Sequence, residues 1–515
     1  MKHSLLILIS LLLTTLLPAQ DSLVIDAGLP DSEFHVAINP TDSNNIIIAT
    51  MHGGTTGDMK VYYTFDQGDS WQTSPFTGVH PGYQGAGDPV LDFDASGNAY
   101  LINLTISVGF STVISKSTDG GATWQLETAI IQFSTDKPWL GIDRYDHSPY
   151  KGNIYLPFVN ALLNEPVLLA FDSTLAVTSQ VTAGANEHQP GIAIRKDGEV
   201  FMSMVDWGNP NQIFMAQYTN GGSTLVHKTR LTSFPSYRLN APDVSFRFQP
   251  TVYTAIDNSG GPFDGRLYVT YTASEQADPI FDVFLMYSDD GGVTWSTPKT
   301  VHSNGSDGTQ QFYSSLYVNN QGVLVIDWYD RRNYPPGNAN TDFYLGISND
   351  GGNSFSEIQL NSASMDWRFA NEAGDGFGIG EYHQLVATDH AVFAFWADGR
   401  TNDEDLNIYM AKVQLDTPVT GVQELGPISP QISVSSPYPI PAREEIFIDV
   451  KMGQTYRLST SVMDVNGQTI WSSNWQAYSP GVYQLNIPLS QIPGTYLVQI
   501  RSDQGYFKTF QVIKQ

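Results

Sequence analysis

Acidic, basic and aromatic residues sit side by side at recurring places in this chain. Asp88-Pro89, Asp136-Lys137-Pro138-Trp139, Glu187-His188-Gln189-Pro190, Arg247-Phe248-Gln249-Pro250, Gln310-Gln311 and Glu381-Tyr382-His383 each open an apolar run. Other runs close on the same mixture, in Asp206-Trp207, Trp328-Tyr329-Asp330-Arg331-Arg332 and Trp396-Ala397-Asp398-Gly399-Arg400. If the runs are paired strands of one repeated unit, both sets fall at one end of it and face a common mouth. Such mixtures bind sugars, because Trp and Tyr stack on the apolar ring face while Asp and Arg bond the hydroxyls. Several of the residues also have a scaffold reading. Trp-x-Asp-x-Arg reads equally as an internal Asp–Arg clamp, and proline at a strand start is a geometric stop. The pair Asp136-Lys137 beside Trp139 has little packing purpose and is the stronger pointer to function. His35, His188 and His383 fall at matching places but lack any local zinc spacing, so no metal site is expected from them. No Gly-x-Ser-x-Gly, His-Glu-x-x-His, Walker or dinucleotide motif occurs, which removes the common hydrolase, metalloprotease and nucleotide readings.

The elements that must position these residues are written in two repeats. The short one, Ser/Thr-x-Asp-x-Gly-x-x-Trp/Phe, stands at Thr64–Trp71, Ser117–Trp124, Ser288–Trp295 and Ser348–Phe355. It encodes a hairpin in which Asp bonds the turn backbone, Gly supplies positive φ and the ring packs under the next strand. It resembles the Asp-box, or bacterial neuraminidase repeat, of sialidase-like β-propellers. The longer repeat is an apolar strand, a turn and an aromatic-rich strand, at Phe34–Thr50, Asp88–Leu104, Lys137–Phe158, Gln189–Trp207, Gln249–Thr272, Gln311–Trp328 and Glu381–Trp396. The spacing allows one four-stranded sheet per copy, the blade of a propeller. The expectation is an all-β chain with a seven-bladed β-propeller over 22–415, six or eight blades being the alternatives. Ser22–Ile25 would supply the missing outer strand of the last blade. The Asp-box turns lie at the end away from the chemistry and are read as scaffold.

Residues 1–20, with Lys2 ahead of the run Leu5–Leu17 and Pro18-Ala19-Gln20, read as a secretory signal peptide too short to span a membrane. No transmembrane segment is expected downstream. The chain has no cysteine, so no disulfide framework supports it. A formal net charge of −27 argues against nucleic acid as a partner. No cofactor is required on this reading, although the acidic surface leaves room for structural calcium. The Pro- and Gly-bearing segment 416–431 reads as a linker, and 432–515 as a small β-sandwich. Ser436-Pro437-Tyr438-Pro439, Asp464-Val465-Asn466-Gly467, Gly494-Thr495-Tyr496-Leu497 and Lys514 look like the C-terminal sorting domain of the type IX secretion system. That resemblance implies the secretion machinery as a partner, and secretion or attachment at the outer-membrane surface.

Asp136–Asp143 with Ser148–Tyr155, Asp327–Arg331 and Phe395–Arg400 resemble the sialidase-like exo-glycosidases. The resemblance implies a funnel that binds or cleaves an extracellular glycan. It makes Asp136 the candidate acid and Glu381 with Tyr382 an activated nucleophile pair. Arg247, Arg331 and Arg400 become candidate anion ligands, and Asp88, Lys137, Trp139, Asp330 and Asp398 further substrate contacts. The chain departs from the sialidase pattern in having no Arg-Ile-Pro segment and in a repeat count that favours seven. Glycoside hydrolysis, elimination on a uronate polysaccharide, and glycan binding without turnover all remain open. Reducing-end release, a new unsaturated-uronate absorbance, or binding alone would tell them apart.

Overall fold

The computed structural model describes residues 21–514 apart from 26–27, 54–57, 107–109, 133, 207, 209, 236–251, 275–279, 305–307, 371–377, 402–404, 416–431, 435–436, 440–441, 454, 464–468, 490–491 and 503–506. The chain divides into two units, Met1–Leu415 and Asp416–Gln515. In the first, each long repeat becomes one antiparallel sheet built on four strands, with a short fifth strand in the third and sixth sheets. The first sheet runs Asp31–Ile38, Ile46–His52, Asp58–Thr64 and Gln72–Thr73; the second runs Gln84–Phe93, Ala99–Ile106, Phe110–Ser117 and Gln125–Gln132. The leading strands of the other five are Thr135–Asp136 with Gly141–Ile142, His188–Ile194, Tyr253–Ile256, Gln311–Val318 and Val386–Ala387. The seventh sheet takes its outer strand from the chain's start, as Asp21–Leu23 pairs with Tyr409–Ala411. Leading strands of consecutive sheets pack on one another, and that of the seventh packs on that of the first.

The Asp-box turns are wedges between these sheets. Ser288 Oγ donates to Asp290 Oδ1 at 2.8 Å, Gly292 N donates to Ser288 Oγ at 2.9 Å, and Thr294 N donates to Asp290 Oδ1 at 2.8 Å. The same bonds recur in the other three turns. Three of the four glycines press on a neighbouring sheet: a Cβ on Gly352 would meet Leu285 at 2.7 Å, and one on Gly121 would meet Ile47 at 2.8 Å. On Gly68 it would meet Met410, in the seventh sheet, at 2.6 Å. Trp71 of that turn lies edge-on to Phe395. The close approach leaves room only for glycine.

Side chains alternate along a strand, so residues six, four and two before the turn that ends each leading strand face the same way. Counting back six from Asn39, Asp94, Asp143, Asn319 and Thr388 gives Glu33, Asp88, Lys137, Tyr313 and Tyr382. In four of these the backbone is left-handed, with φ of 45° at Glu33, 47° at Asp88, 48° at Lys137 and 50° at Tyr313. Register shifts bracket three of them, between Ser32 and His35, Gly87 and Val90, and Phe312 and Ser315. At Lys137 the leading strand breaks into its two short pieces instead. Bulges re-aim single side chains, and each left-handed residue costs about 1–2 kcal/mol, so packing around this row must offset the strain. The seventh sheet departs from the expected pattern. Its leading strand is only Val386–Ala387, and upstream of it the Glu381 amide donates to the Glu33 carboxyl group.

The second unit is two sheets over one core. Ile432–Val434, Glu445–Met452 and Gly481–Pro488 form one; Thr469–Ser472, Tyr456–Met463, Gly494–Ser502 and Phe507–Lys514 form the other, with Gln476–Tyr478 also on Tyr456–Met463. Alternate residues, Ile446, Ile448 and Val450 against Val498 and Ile500, are buried between them. The turn at 464–467, the segment 1–20 and the linker lie outside the described residues.

Candidate functional site

The row that the bulges turn inward gathers four charged groups from four sheets. Lys137 Nζ lies 2.5 Å from Glu381 Oε2, 3.5 Å from Asp88 Oδ2 and 3.7 Å from Glu33 Oε1. The acids are 2–12% exposed and the lysine side chain as a whole 20%. Glu33 and Asp88 thus face the same ammonium. Tyr313 and Tyr382 flank the cluster, their hydroxyls donating to Gly380 O at 2.8 Å and Pro89 O at 3.2 Å.

Burial pushes the Glu33 carboxyl well above the usual glutamate range; Lys137 pulls against this, while Asp88 and Glu381 add to it. Burial alone would lower the Lys137 ammonium, but Asp88, Glu33 and Glu381 outweigh it and hold that group well above the ordinary lysine value. The centre therefore holds a carboxyl that keeps its proton more tightly than usual, a firmly charged ammonium and two further acidic side chains. No two of the three acidic oxygens are separated by more than twice the longest of their distances to Nζ. Burial drives the Tyr313 and Tyr382 phenols far up, so both are donors.

Beneath the cluster, four before the turn, comes an aromatic layer. Trp139 meets His35, Tyr253 and Tyr382 edge-on, with centroids 5.2, 5.7 and 5.4 Å away. Burial pushes the His35 imidazole down to about 3, and the neutral ring accepts Leu91 N at 3.2 Å.

The structure thus brings Asp88, Lys137, Trp139, Glu381 and Tyr382 together and sets the other expected residues apart. Tyr382 is placed as an anchor, its hydroxyl given to Pro89. Asp136 accepts the Lys137 backbone amide at 3.0 Å; among the described residues the ion partners of the Lys137 ammonium are Glu33, Asp88 and Glu381. Asp330 is fully buried between the Trp328 indole, Gln311 and Arg332. Asp398 repeats this with the Trp396 indole and Arg400, and Arg400 also grips Asp21 at 2.6 Å. These are the internal clamps that the Trp-x-Asp-x-Arg spacing allowed. Arg331 bonds Thr341 Oγ1 and lies over Phe312. Arg247 and Trp207 fall outside the described residues. Glu33 went unrecognised in the sequence, although it stands six residues before Asn39 as Asp88 stands before Asp94.

The family model of the secretion system C-terminal sorting domain matches residues 436–515. The second unit is a sorting domain. The chain carrying it is exported, to be secreted or held at the outer-membrane surface, and the secretion machinery is its partner. The BNR/Asp-box repeat model matches residues 286–297, the hairpin of the fifth sheet. Among the described residues no helix is long and apolar enough to cross a membrane. No curated protein sequence matches the chain. Similar solved structures include a protein of unknown function from Dyadobacter fermentans, 12% identical over 77% of this chain and 98% of that one with a TM-score of 0.44. An α-L-arabinofuranosidase from Fusarium graminearum is 13% identical over 58% of this chain and 88% of that one, TM-score 0.41. The Hadza microbial sialidase is 14% identical over 58% and 63%, TM-score 0.40.

Proposed function

We propose that the first unit is a seven-bladed propeller acting on extracellular glycans, with Glu33, Asp88, Lys137 and Glu381 as its reactive centre. The observation that carries this is the convergence of Glu33, Asp88 and Glu381 on one ammonium, Lys137 Nζ, with burial raising the Glu33 carboxyl. Two carboxyl groups driven into different protonation states are what glycosidic cleavage needs, one donating to the leaving oxygen and the other acting as base or nucleophile. Glu33 Oε1 and Glu381 Oε2, at 3.7 and 2.5 Å from the same Nζ, are close enough together to admit the roughly 5–5.5 Å spacing of retaining enzymes. Glu33 is the acid in this reading, Glu381 the base, and Lys137 the group that positions both and meets substrate hydroxyls.

The charge balance selects the glycan. Three acids around one lysine repel a sialic acid or uronate carboxylate, and Arg331 and Arg400 are held within their own sheets. The substrate is therefore a neutral glycan, and this centre does not supply the arginine cradle of a sialidase or the neutralising cation of a lyase. The full-length protein is tested for reducing-end release from arabinan, galactan and xylan, with sialyllactose and polygalacturonate as charged controls. Turnover of a neutral glycan that Glu33→Gln and Glu381→Gln each cut by about 100-fold or more supports the reading. Binding of a neutral glycan that these variants weaken, without turnover, makes the centre a lectin-like site. Turnover indifferent to both variants overturns it.

A further inference from the structure

Below the aromatic layer the leading strands do not fill the space between them. The positions two before the turns include Ala37, Gly141, Ala193 and Ala255, with Asp92 and Tyr317. Four of these six are too small to meet across the gap, and a cavity of about 470 Å³ remains, with Trp139 at its inner end. It lies at the turn end of the leading strands, opposite the acidic cluster, and residues from all seven sheets line it. That size falls within the roughly 300–1,000 Å³ of small-molecule sites.

The polar groups on its wall are arranged, not scattered. Arg144 pairs with Asp92, whose other oxygen accepts Ile142 N at 3.0 Å. The Tyr145 hydroxyl accepts Asn258 Nδ2 at 2.8 Å and keeps its own proton to give. Burial pushes the Tyr145 and Tyr317 phenols up, so both stay protonated. Among the described residues no group donates to Gln384 Oε1 or Asp389 Oδ1, although both atoms are buried. Buried acceptors of this kind call for a donor. Asp92 and Asp389 outnumber Arg144, so the wall holds no surplus positive charge for an anion.

We infer that this cavity is a second binding site, for a neutral, hydroxyl-rich molecule of mono- or disaccharide size whose ring faces Trp139 and whose hydroxyls donate to Gln384 and Asp389. It stands on its own geometry, whatever the acidic cluster does. The full-length protein is titrated by calorimetry and tryptophan emission with L-arabinose, D-galactose, D-glucose and cellobiose, with D-glucuronate as the anionic control. The expected result is saturable binding of at least one neutral sugar with a change in emission. Asp389→Ala and Tyr317→Phe should weaken it about 5–10-fold at unchanged melting temperature, and Glu381→Gln should leave it intact. Absence of saturable binding by every neutral sugar overturns the inference. So does binding that both cavity variants leave unchanged, binding that glucuronate matches, or binding lost in Glu381→Gln.

Discussion

Replacing Lys137 by methionine removes the cation that pairs with Glu33, Asp88 and Glu381 while keeping most of the side chain's volume. The three acids are 2–12% exposed, so the change leaves buried carboxylates facing each other without their counter-charge. Breaking such a group by removing one partner costs about 3–5 kcal/mol. At about 2.1 cal/mol/K of unfolding entropy per residue, spread over the roughly 400 residues of the first unit, that lowers its melting temperature by about 4–6 °C. The loss depends on pH. Burial raises Glu33, so it holds its proton more tightly folded than unfolded. Its contribution is complete below the unfolded glutamate pKa of about 4.3 and declines as pH rises through the folded value. Lys137 lowers that folded value, so the variant declines more steeply, and the gap to the parent protein widens from acid to neutral pH. Scanning calorimetry on both proteins at pH 4.5 and pH 7.5 reads this directly. Equal melting temperatures at neutral pH, or a gap that is the same at both, would refute the reasoning.

Other perturbations test the frame around the centre. Asp290→Ala removes the acceptor of Ser288 Oγ, Thr294 N and Thr294 Oγ1. It should cost about 1–2 kcal/mol and speed amide exchange at Thr294. The bonds from Thr294 hold the Asp290 carboxyl down at about 2, so this support is present above the ordinary aspartate value and fades as pH falls towards the folded one. Asp21→Ala leaves Arg400 with Asp398 as its ion partner among the described residues; a loss of about 1–3 kcal/mol should free the Asp21–Leu23 strand, seen as faster amide exchange at Tyr409–Ala411. Trp139→Ala opens the partition between the acidic cluster and the cavity beneath it, and should cost about 3–5 kcal/mol by thermal melting.

The repeats made the all-β architecture readable, because a four-residue-type turn motif and an alternating apolar strand leave few other ways to bury both faces. They also placed Asp88, Lys137 and Glu381 at one end of the strands, where the structure brings them together. What sequence alone hid is register. The first repeat was begun at Phe34, one residue after Glu33, and no proline marks Glu33 as it marks Asp88 and Lys137. Counting back from the turns rather than forward from the prolines would have put Glu33 in the row. Glu381 reaches the cluster from outside that register, since Tyr382 occupies the row position and the chain before Val386 runs free of the sheet. The clamps follow the Trp-x-Asp-x-Arg spacing itself, and what it left undecided was the role of the neighbouring Arg331. In Trp328-x-Asp330-x-Arg332 it is the second arginine that folds back onto the aspartate, whereas Arg331 points to Thr341.

The claim on which the rest depends is that Glu33 is a proton-bearing carboxyl in contact with the glycan. Carboxyl carbon-13 NMR of glutamate-labelled protein, with the Glu33 resonance assigned by its loss in Glu33→Gln, measures this across pH with and without the neutral glycan. A midpoint above the ordinary glutamate value that moves when the glycan is added is the result expected. A midpoint at or below that value, or a resonance that ignores the glycan, would contradict it.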